Sequence, residues 1–541
     1  MAYPTLSIAA VALTALLSAC SSLPPSLEAC AALASAPSGA TTVTSARFVA
    51  AGTVAGLPDH CQVQGAIAAQ STGADPIRFQ INLPSAWNRK ALMVGGGGFN
   101  GALTNGLAPL RDAAAGQAHP LAQGYVTFGT DSGHDAKEYG ATEPAKFALN
   151  DEMFVNFAHA SYKKVKDVAH MVMKTYYQQA PEKQYFYGGS EGGREGLAMA
   201  QRYPNDFDGI VSVVPVIYWT GLFHGFIDAT KPQFDGGALS AGKIRLIANA
   251  VNTTCDAQDG LVDGLVNHYA ACSAKFKATT LRCDGGKDTG DQCLSDAQLR
   301  SVQAIYEPVV LPFSLANGVA SYPARFWGGE IQAGGEGLAL WLSNGKVPAT
   351  PISRQDSRIV NYGSSYARYV IAKDAQFDIR TYDPKRFQAR VVEVSNLMDA
   401  SNPDLATFFK RGGKLIIREN TGDTAQSAAA GMQYFESVQK TLGMQMTDQS
   451  MRLYVVSPAA HTGRAASLTT GVEAATSHDL LSTLDRWVVQ GAAPADSLPL
   501  VRHAATPPHA LQASRPMCRY PMYAHYVGGD AAQFDSYRCQ R

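Results

Sequence analysis

The sequence predicts an α/β protein whose mostly parallel sheet is interrupted by one large insertion. Three observations carry this prediction. Short apolar runs alternate with stretches of helical periodicity up to about residue 216, as expected of strands joined by crossover helices. From 217 to about 405 that alternation is lost. It resumes at KLIIRE (Lys414–Glu419) and RLYVVSP (Arg452–Pro458), each followed by a helical stretch. The expected organisation is therefore a first core part over 46–216, an insertion over 217–405 and a second core part over 406–541. An insertion at the carboxyl ends of parallel strands would cover a site there as a lid.

The chain opens with LSIAAVALTALLSAC (Leu6–Cys20), apolar but short for a membrane span, and reads as an export signal over 1–20. Its end, Leu17-Ser18-Ala19-Cys20, resembles a bacterial lipobox, in which the cysteine carries lipid, although no Lys or Arg precedes Leu6. An ordinary signal cut nearby is the other reading. The expectation is an exported chain, either held at the outer membrane through Cys20 or secreted. Residues 21–45, rich in Ser, Ala and Pro, read as a tether.

Apart from Cys20 there are eight cysteines, an even number that predicts disulfides in an exported protein. Close spacing favours Cys255–Cys272, Cys283–Cys293 and Cys518–Cys539, which leaves Cys30–Cys61. Lys+Arg and Asp+Glu both number 45, so there is no basic field to favour nucleic acid.

Along the first core part, FQINLP, ALMVGGGG (Ala91–Gly98) and YVTFGTDSGH (Tyr125–His134) read as strands and the loops that follow them. Phe154–Gln179 has a broad apolar face at helical spacing. QYFYGGS then leads into the helical REGLAMAQRYP, and GIVSVVPV (Gly209–Val216) is a further strand.

Gly188-Gly189-Ser190-Glu191-Gly192 fits G-x-S-x-G. The pattern is weak alone, but a nucleophile elbow needs a strand before the serine and a helix after it, and both are present. A serine needs a base, and the base needs a third group to orient it. In α/β proteins of this kind the chain order is Ser, acid, His. Asp423 follows KLIIRE, and His461 follows RLYVVSP, 38 residues further on. His134 precedes the serine and breaks the order, and His478 reads as a helix start. Oxyanion donors are expected from the N–H of Glu191 and from the glycine loop VGGGGFNG (Val94–Gly101). No Gly-Lys-Ser/Thr follows that loop, which argues against a phosphate site.

CDAQDGLVDG (Cys255–Gly264) gathers Asp256, Asp259 and Asp263 among glycines. It reads either as a loop for a hard cation such as calcium or as a solvated Asp/Gly turn. Phe326, Trp327 and Trp341 are candidates to line a pocket, with core packing the commoner fate of such residues.

Taken together, LPDHCQVQGAI, GGGGFNG, GGSEGGREGLAMAQRYPNDFDGIV, CDAQDGLVDG and RPMCRYP with the final Cys539 resemble the tannase and feruloyl esterase family of α/β hydrolases over nearly the whole mature chain. The Ser-Glu-Gly-Gly-Arg-Glu run is most similar to the branch that contains mono(2-hydroxyethyl) terephthalate hydrolase. The resemblance implies an α/β-hydrolase core, a large lid holding structural calcium, no organic cofactor, and hydrolysis of small esters of aromatic acids. It implies Ser190 as nucleophile, His461 as base, Asp423 as its orienter, and N–H groups of Gly98 and Glu191 as oxyanion donors. It implies calcium on Asp256, Asp259 and Asp263 with the carbonyls of Leu261 and Leu265. The chain departs from the family in two places. Relatives commonly join a cysteine before the serine to one after the histidine, where this sequence has Gly189 and Thr462. Glu419-Asn420 replaces the usual histidine-glycine near the aspartate. Other functions compatible with the sequence are an esterase or acyltransferase of the same mechanism on non-aromatic esters, and a non-catalytic, lipid-anchored binding protein.

Overall fold

The computed structural model describes residues 27–35 and 39–541. The expected signal, its lipobox-like end and Cys20 lie outside the described residues. One sheet of 11 strands dominates. Its strands are β1 (Thr41–Val49), β2 (His60–Ile67), β3 (Ile77–Pro84), β4 (Lys90–Val94), β5 (Val126–Thr130), β6 (Lys183–Gly189), β7 (Gly209–Val213), β8 (Lys414–Asn420), β9 (Met451–Val456), β10 (Ser497–His503) and β11 (Leu511–Arg519). They lie in the order β1-β2-β3-β5-β4-β6-β7-β8-β9-β11-β10. The run from β5 to β9 is parallel. Antiparallel strands extend it at both ends.

The central strands are buried on both faces, so each reads as a continuous apolar run, yet its residues divide by parity. In β9, Met451, Leu453 and Val455 join one apolar cluster while Tyr454 and Val456 join another. In β6, Phe186 packs on the first face and Tyr185 and Tyr187 on the second.

Ten helices serve the description: α1 (Leu27–Ala32), α2 (Ser161–Tyr177), α3 (Glu191–Arg202), α4 (Trp219–Thr230), α5 (Ala241–Cys255), α6 (Asp296–Tyr306), α7 (Arg358–Ser365), α8 (Gln388–Met398), α9 (Ala428–Leu442) and α10 (Leu480–Gln490). Helices α2, α3 and α9 cover the first face, and α10 covers the second with Leu480, Leu481, Leu484 and Trp487. The helix expected over Phe154–Gln179 includes a π-helical stretch at Asn156–Ala160 that leads into α2.

Between β7 and β8 the chain makes α4 to α8 and a two-stranded ribbon, Val309–Val310 with Ser321–Tyr322. The apolar interior of this insertion is continuous with the first face of the sheet.

The tether expected over 21–45 is corrected in its described part. Residues 27–32 form α1, whose Cys30 is fully buried and bonded to Cys61, and β1 begins at Thr41. The Ser/Ala-rich composition concealed an amphipathic turn fixed by a covalent link. All four disulfides pair as the spacing predicts. They are those of a chain that folds in an oxidising compartment. No described helix is long and apolar enough to cross a membrane.

Candidate active site

Ser190 stands between β6 and α3 with φ 61° and ψ −121°. A serine pays strain in this left-handed region, and such strain collects at functional sites. The backbone holds it there. Ser190 N–H donates to the carbonyl of Val213 at 2.9 Å, and the Ser190 carbonyl accepts from Arg194 and Val216 at 3.1 and 3.2 Å. The sharp turn needs glycines beside it: a Cβ on Gly188 would lie 2.1 Å from the Gly192 carbonyl oxygen, and one on Gly192 would lie 2.7 Å from that of Gly96.

The three residues expected to act together do meet. His461 Nε2 lies 3.0 Å from Ser190 Oγ, and its Nδ1 lies 2.6 Å from Asp423 Oδ2. The other carboxylate oxygen of Asp423 accepts from the N–H groups of Ala425 at 2.8 Å and Gln426 at 3.0 Å. The Asp423 side chain is fully buried. With Nδ1–H donating to Asp423, the lone pair of Nε2 faces the serine hydroxyl.

Gly98, at φ +63°, and Glu191 line one crevice with Ser190 and His461. The N–H of Glu191 opens α3 and has no acceptor within the helix. Helix α4 presents Trp219, Leu222, Phe223 and Phe226 to this crevice at spacings of three and four residues. Trp341 and Tyr362 complete the aromatic wall, and the Trp341 ring meets His461 edge-on at 5.5 Å. Of the three aromatics expected as lining, Trp341 alone reaches the crevice. Phe326 and Trp327 border a different cavity, where Trp327 stacks on Tyr306. Gly98 and Tyr362 also border a vestibule of about 800 Å³ that carries Lys137, Arg354 and Arg358.

Several buried groups around the site left a single trace in the sequence. Glu195 Oε2 accepts from the N–H of Gly96 at 3.0 Å, and Oε1 accepts from Asn100 Nδ2 at 2.7 Å, so α3 holds the glycine loop directly. Arg194 is fully buried and pairs with Glu191 at 2.5 Å. It also donates to the carbonyls of Phe157 and Ala158 in the π-helical stretch. Burial raises the Glu191 carboxyl, and the Arg194 guanidinium opposes that rise. Glu195 and Glu191 sit one turn apart on α3. That acidic pair beside the serine was the one trace available in the sequence.

The acidic loop after α5 folds on itself. Asp256 accepts from the N–H of Gly264, Asp259 from Leu261 and both nitrogens of Asn267, and Asp263 from Leu265. Burial pushes Asp259 up to about 6 and raises Asp263, each aided by a neighbouring carboxylate. The oxygen-rich donor set suits a hard cation. The side chains do not converge as a ready cluster: among the described residues no three His, Cys, Asp or Glu groups gather as a metal site.

An elbow serine, a histidine and a buried aspartate at the carboxyl ends of parallel strands define a hydrolase of the α/β-hydrolase fold. Comparison with known proteins narrows this class. The family model described as "Tannase and feruloyl esterase" matches residues 61–540, and the chain belongs to that family. It is a carboxylic ester hydrolase. It is 33% identical over 494 residues to an uncharacterized esterase of Agrobacterium fabrum, covering 89% of this chain and 85% of that one. It is 31% identical over 565 residues to mono(2-hydroxyethyl) terephthalate hydrolase of Piscinibacter sakaiensis, covering 93% and 89%. The crystal structure of feruloyl esterase B from Aspergillus oryzae superposes with a TM-score of 0.76 at 23% identity, covering 95% of this chain and all of that one, and so shares its fold.

Proposed function

We propose that this protein hydrolyses esters of aromatic acids through an acyl-enzyme on Ser190. The observation that carries the reading is His461 lying between Ser190 and Asp423 at the edge of an aromatic crevice. Ser190 Oγ attacks the ester carbonyl carbon as its proton passes to His461 Nε2. Asp423 holds the imidazole in the required tautomer and stabilises the imidazolium. The carbonyl oxygen becomes an oxyanion, which the N–H groups of Gly98 and Glu191 receive. As the carbon–oxygen bond to the alcohol breaks, the leaving alkoxide takes the proton from Nε2. Water then repeats the sequence, giving its proton to His461 and releasing the acid and the free serine. Every step uses side chains and N–H groups of this chain.

Flat acyl groups are the expected occupants of the crevice lined by Trp219, Phe223, Phe226 and Trp341, where stacked and edge-on ring contacts would favour them over aliphatic chains. Terephthalate monoesters and ferulates head the test panel, because relatives carry those activities in their names. Asp256, Asp259 and Asp263, with the carbonyls of Leu261 and Leu265, would hold structural calcium, relieving the mutual repulsion of buried carboxylates. Export through the N-terminal signal, with the chain either held by lipid on Cys20 or secreted, completes the reading.

The test is Ser190→Ala. Hydrolysis of gallate, ferulate and terephthalate monoesters should vanish while thermal melting stays near that of the wild type. A fluorophosphonate should label the wild type and not the variant. Turnover retained by Ser190→Ala would overturn the assignment.

A further inference from the structure

We propose that Arg111 is a positioning residue that fastens the His461 loop to the strand carrying Ser190, in the place where a side chain at 189 would otherwise stand. The inference rests on the ester-hydrolase reading above.

Two contacts define the role. The Nη2 of Arg111 donates to the backbone carbonyl of His461 itself, 350 residues away in sequence. The same side chain lies over Gly189, the residue before the nucleophile. A Cβ at 189 would sit 2.5 Å from Arg111 Nη1 and 2.6 Å from Cδ. Real Cβ atoms do not approach so closely, and here both the charged head and the stem are in the way. The absence of a side chain at 189 is thus what admits the arginine. Arg111 and Gly189 form a matched pair, and the guanidinium spans from the nucleophile strand to the main chain of the base.

The segment that carries Arg111 is tied to its surroundings through the next residue. Its neighbour Asp112 is buried and forms an ion pair with the fully buried Arg418 at 3.2 Å. The Asp112 carbonyl accepts from the N–H of His478 at 3.2 Å. Among the described residues Arg111 Nε is buried without a partner. The carbonyl of His461 is therefore the polar contact that orients the head group, and losing it would leave a half-buried acceptor unpaired.

The consequence for chemistry is positional. The 3.0 Å separation of Nε2 and Oγ depends on where the main chain of His461 stands. A shift of about 1 Å in such a geometry costs on the order of 10²-fold in rate. Arg111 does not border the crevice that would take the acyl group. Its removal should therefore act on turnover and leave substrate affinity almost unchanged.

The experiment is a double-mutant cycle on the full-length protein, with Arg111→Ala, Gly189→Ala and the double variant, plus Arg111→Met to keep the stem. Kinetics are read on an ester that the wild type hydrolyses, alongside thermal melting. Arg111→Met should lower kcat by about 30-fold or more with KM within about threefold, because the loop is misplaced and not lost. Gly189→Ala should produce a loss of the same order, since its methyl group displaces the guanidinium. In the Arg111→Ala background the added methyl should cost less than about twofold, as expected of residues that act through one contact. Full kcat in Arg111→Met, additive losses in the cycle, or a KM effect larger than the kcat effect would each overturn the proposal. If Arg111→Ala does not fold, Arg111→Met and Gly189→Ala decide the matter alone. A wild type that hydrolyses no ester would instead refute the ester-hydrolase reading, so the two failures are distinguishable.

Discussion

Replacing Asp423 by asparagine removes a charge and keeps the shape, and the surrounding hydrogen bonds dictate what the amide does. One carboxylate oxygen accepts from the N–H groups of Ala425 at 2.8 Å and Gln426 at 3.0 Å, while the other faces His461 Nδ1 at 2.6 Å. Asparagine satisfies the two backbone donors only with its carbonyl oxygen toward them, because its NH2 there would confront two N–H groups. Its NH2 then points at Nδ1, which must become an acceptor. The imidazole proton moves to Nε2, where it blocks transfer from the Ser190 hydroxyl 3.0 Å away. A base locked in the wrong tautomer costs about 10⁴ in kcat, equivalent to about 5.4 kcal/mol of barrier. Folding stability should change little, since every donor around the residue keeps an acceptor. The assay is the initial rate of ester hydrolysis over a range of substrate concentrations, with melting by circular dichroism. A loss of less than tenfold in a variant that melts like the wild type would refute this reasoning.

Glu195→Gln should lower kcat by about 10²-fold with little change in KM, because an amide cannot accept from both Gly96 and Asn100 and the glycine loop shifts; unchanged kcat in steady-state kinetics would count against that role. Chelation should lower the melting temperature, since at free calcium 100 times its dissociation constant the linkage is about 2.7 kcal/mol; elemental analysis that finds no calcium, with no shift on chelation, would reject the metal. Burial lowers His134 to about 4 in the folded chain, where its ring stacks on Phe147 and Nε2 donates to the carbonyl of Phe99. The unfolded chain then binds more protons below the ordinary value of about 6.5, so this residue should remove up to about 3 kcal/mol of stability as pH falls from about 6.5 to 4. Urea titrations of the wild type and His134→Gln across that window should show a flatter pH dependence in the variant.

The meeting of Ser190, Asp423 and His461 was legible because each follows an apolar strand run, and parallel strands bring the loops after them to one edge of the sheet. The disulfides were legible because three pairs are close in sequence and the fourth follows by elimination. The groups that hold the site were not legible, because their partners are far away along the chain. Glu195 reaches the glycine loop across 99 residues, and Thr462 donates its N–H and hydroxyl to Glu336 across 126. No local periodicity marks such pairs. Strand β1 was hidden for another reason: its exposed edge alternates with polar residues, and TTVTSARFV resembles a polar linker. Strand β10 carries Pro499, which a central strand would not tolerate, and it closes the far edge of the sheet. The choice between Trp327 and Trp341 turned on the path of the insertion, which local pattern does not encode.

The chain leaves the sheet at β7 and returns at β8, and those strands are direct neighbours, with Gly209 beside Lys414. An excursion with adjoining ends resembles a hinged flap in outline, but its interior argues otherwise. Trp219, Ile247, Tyr306, Tyr366 and Val391 of the insertion share one apolar mass with Phe128, Phe186, Ile210 and Leu415 of the sheet. Swinging the insertion away would wet that mass, at about 25 cal/mol for each Å² of apolar surface exposed. The covering segment is therefore a fixed roof, and traffic goes beneath its eaves. Gly98 and Tyr362 line both the crevice beside Ser190 and the wider vestibule, so the rim they share joins the two beneath the roof.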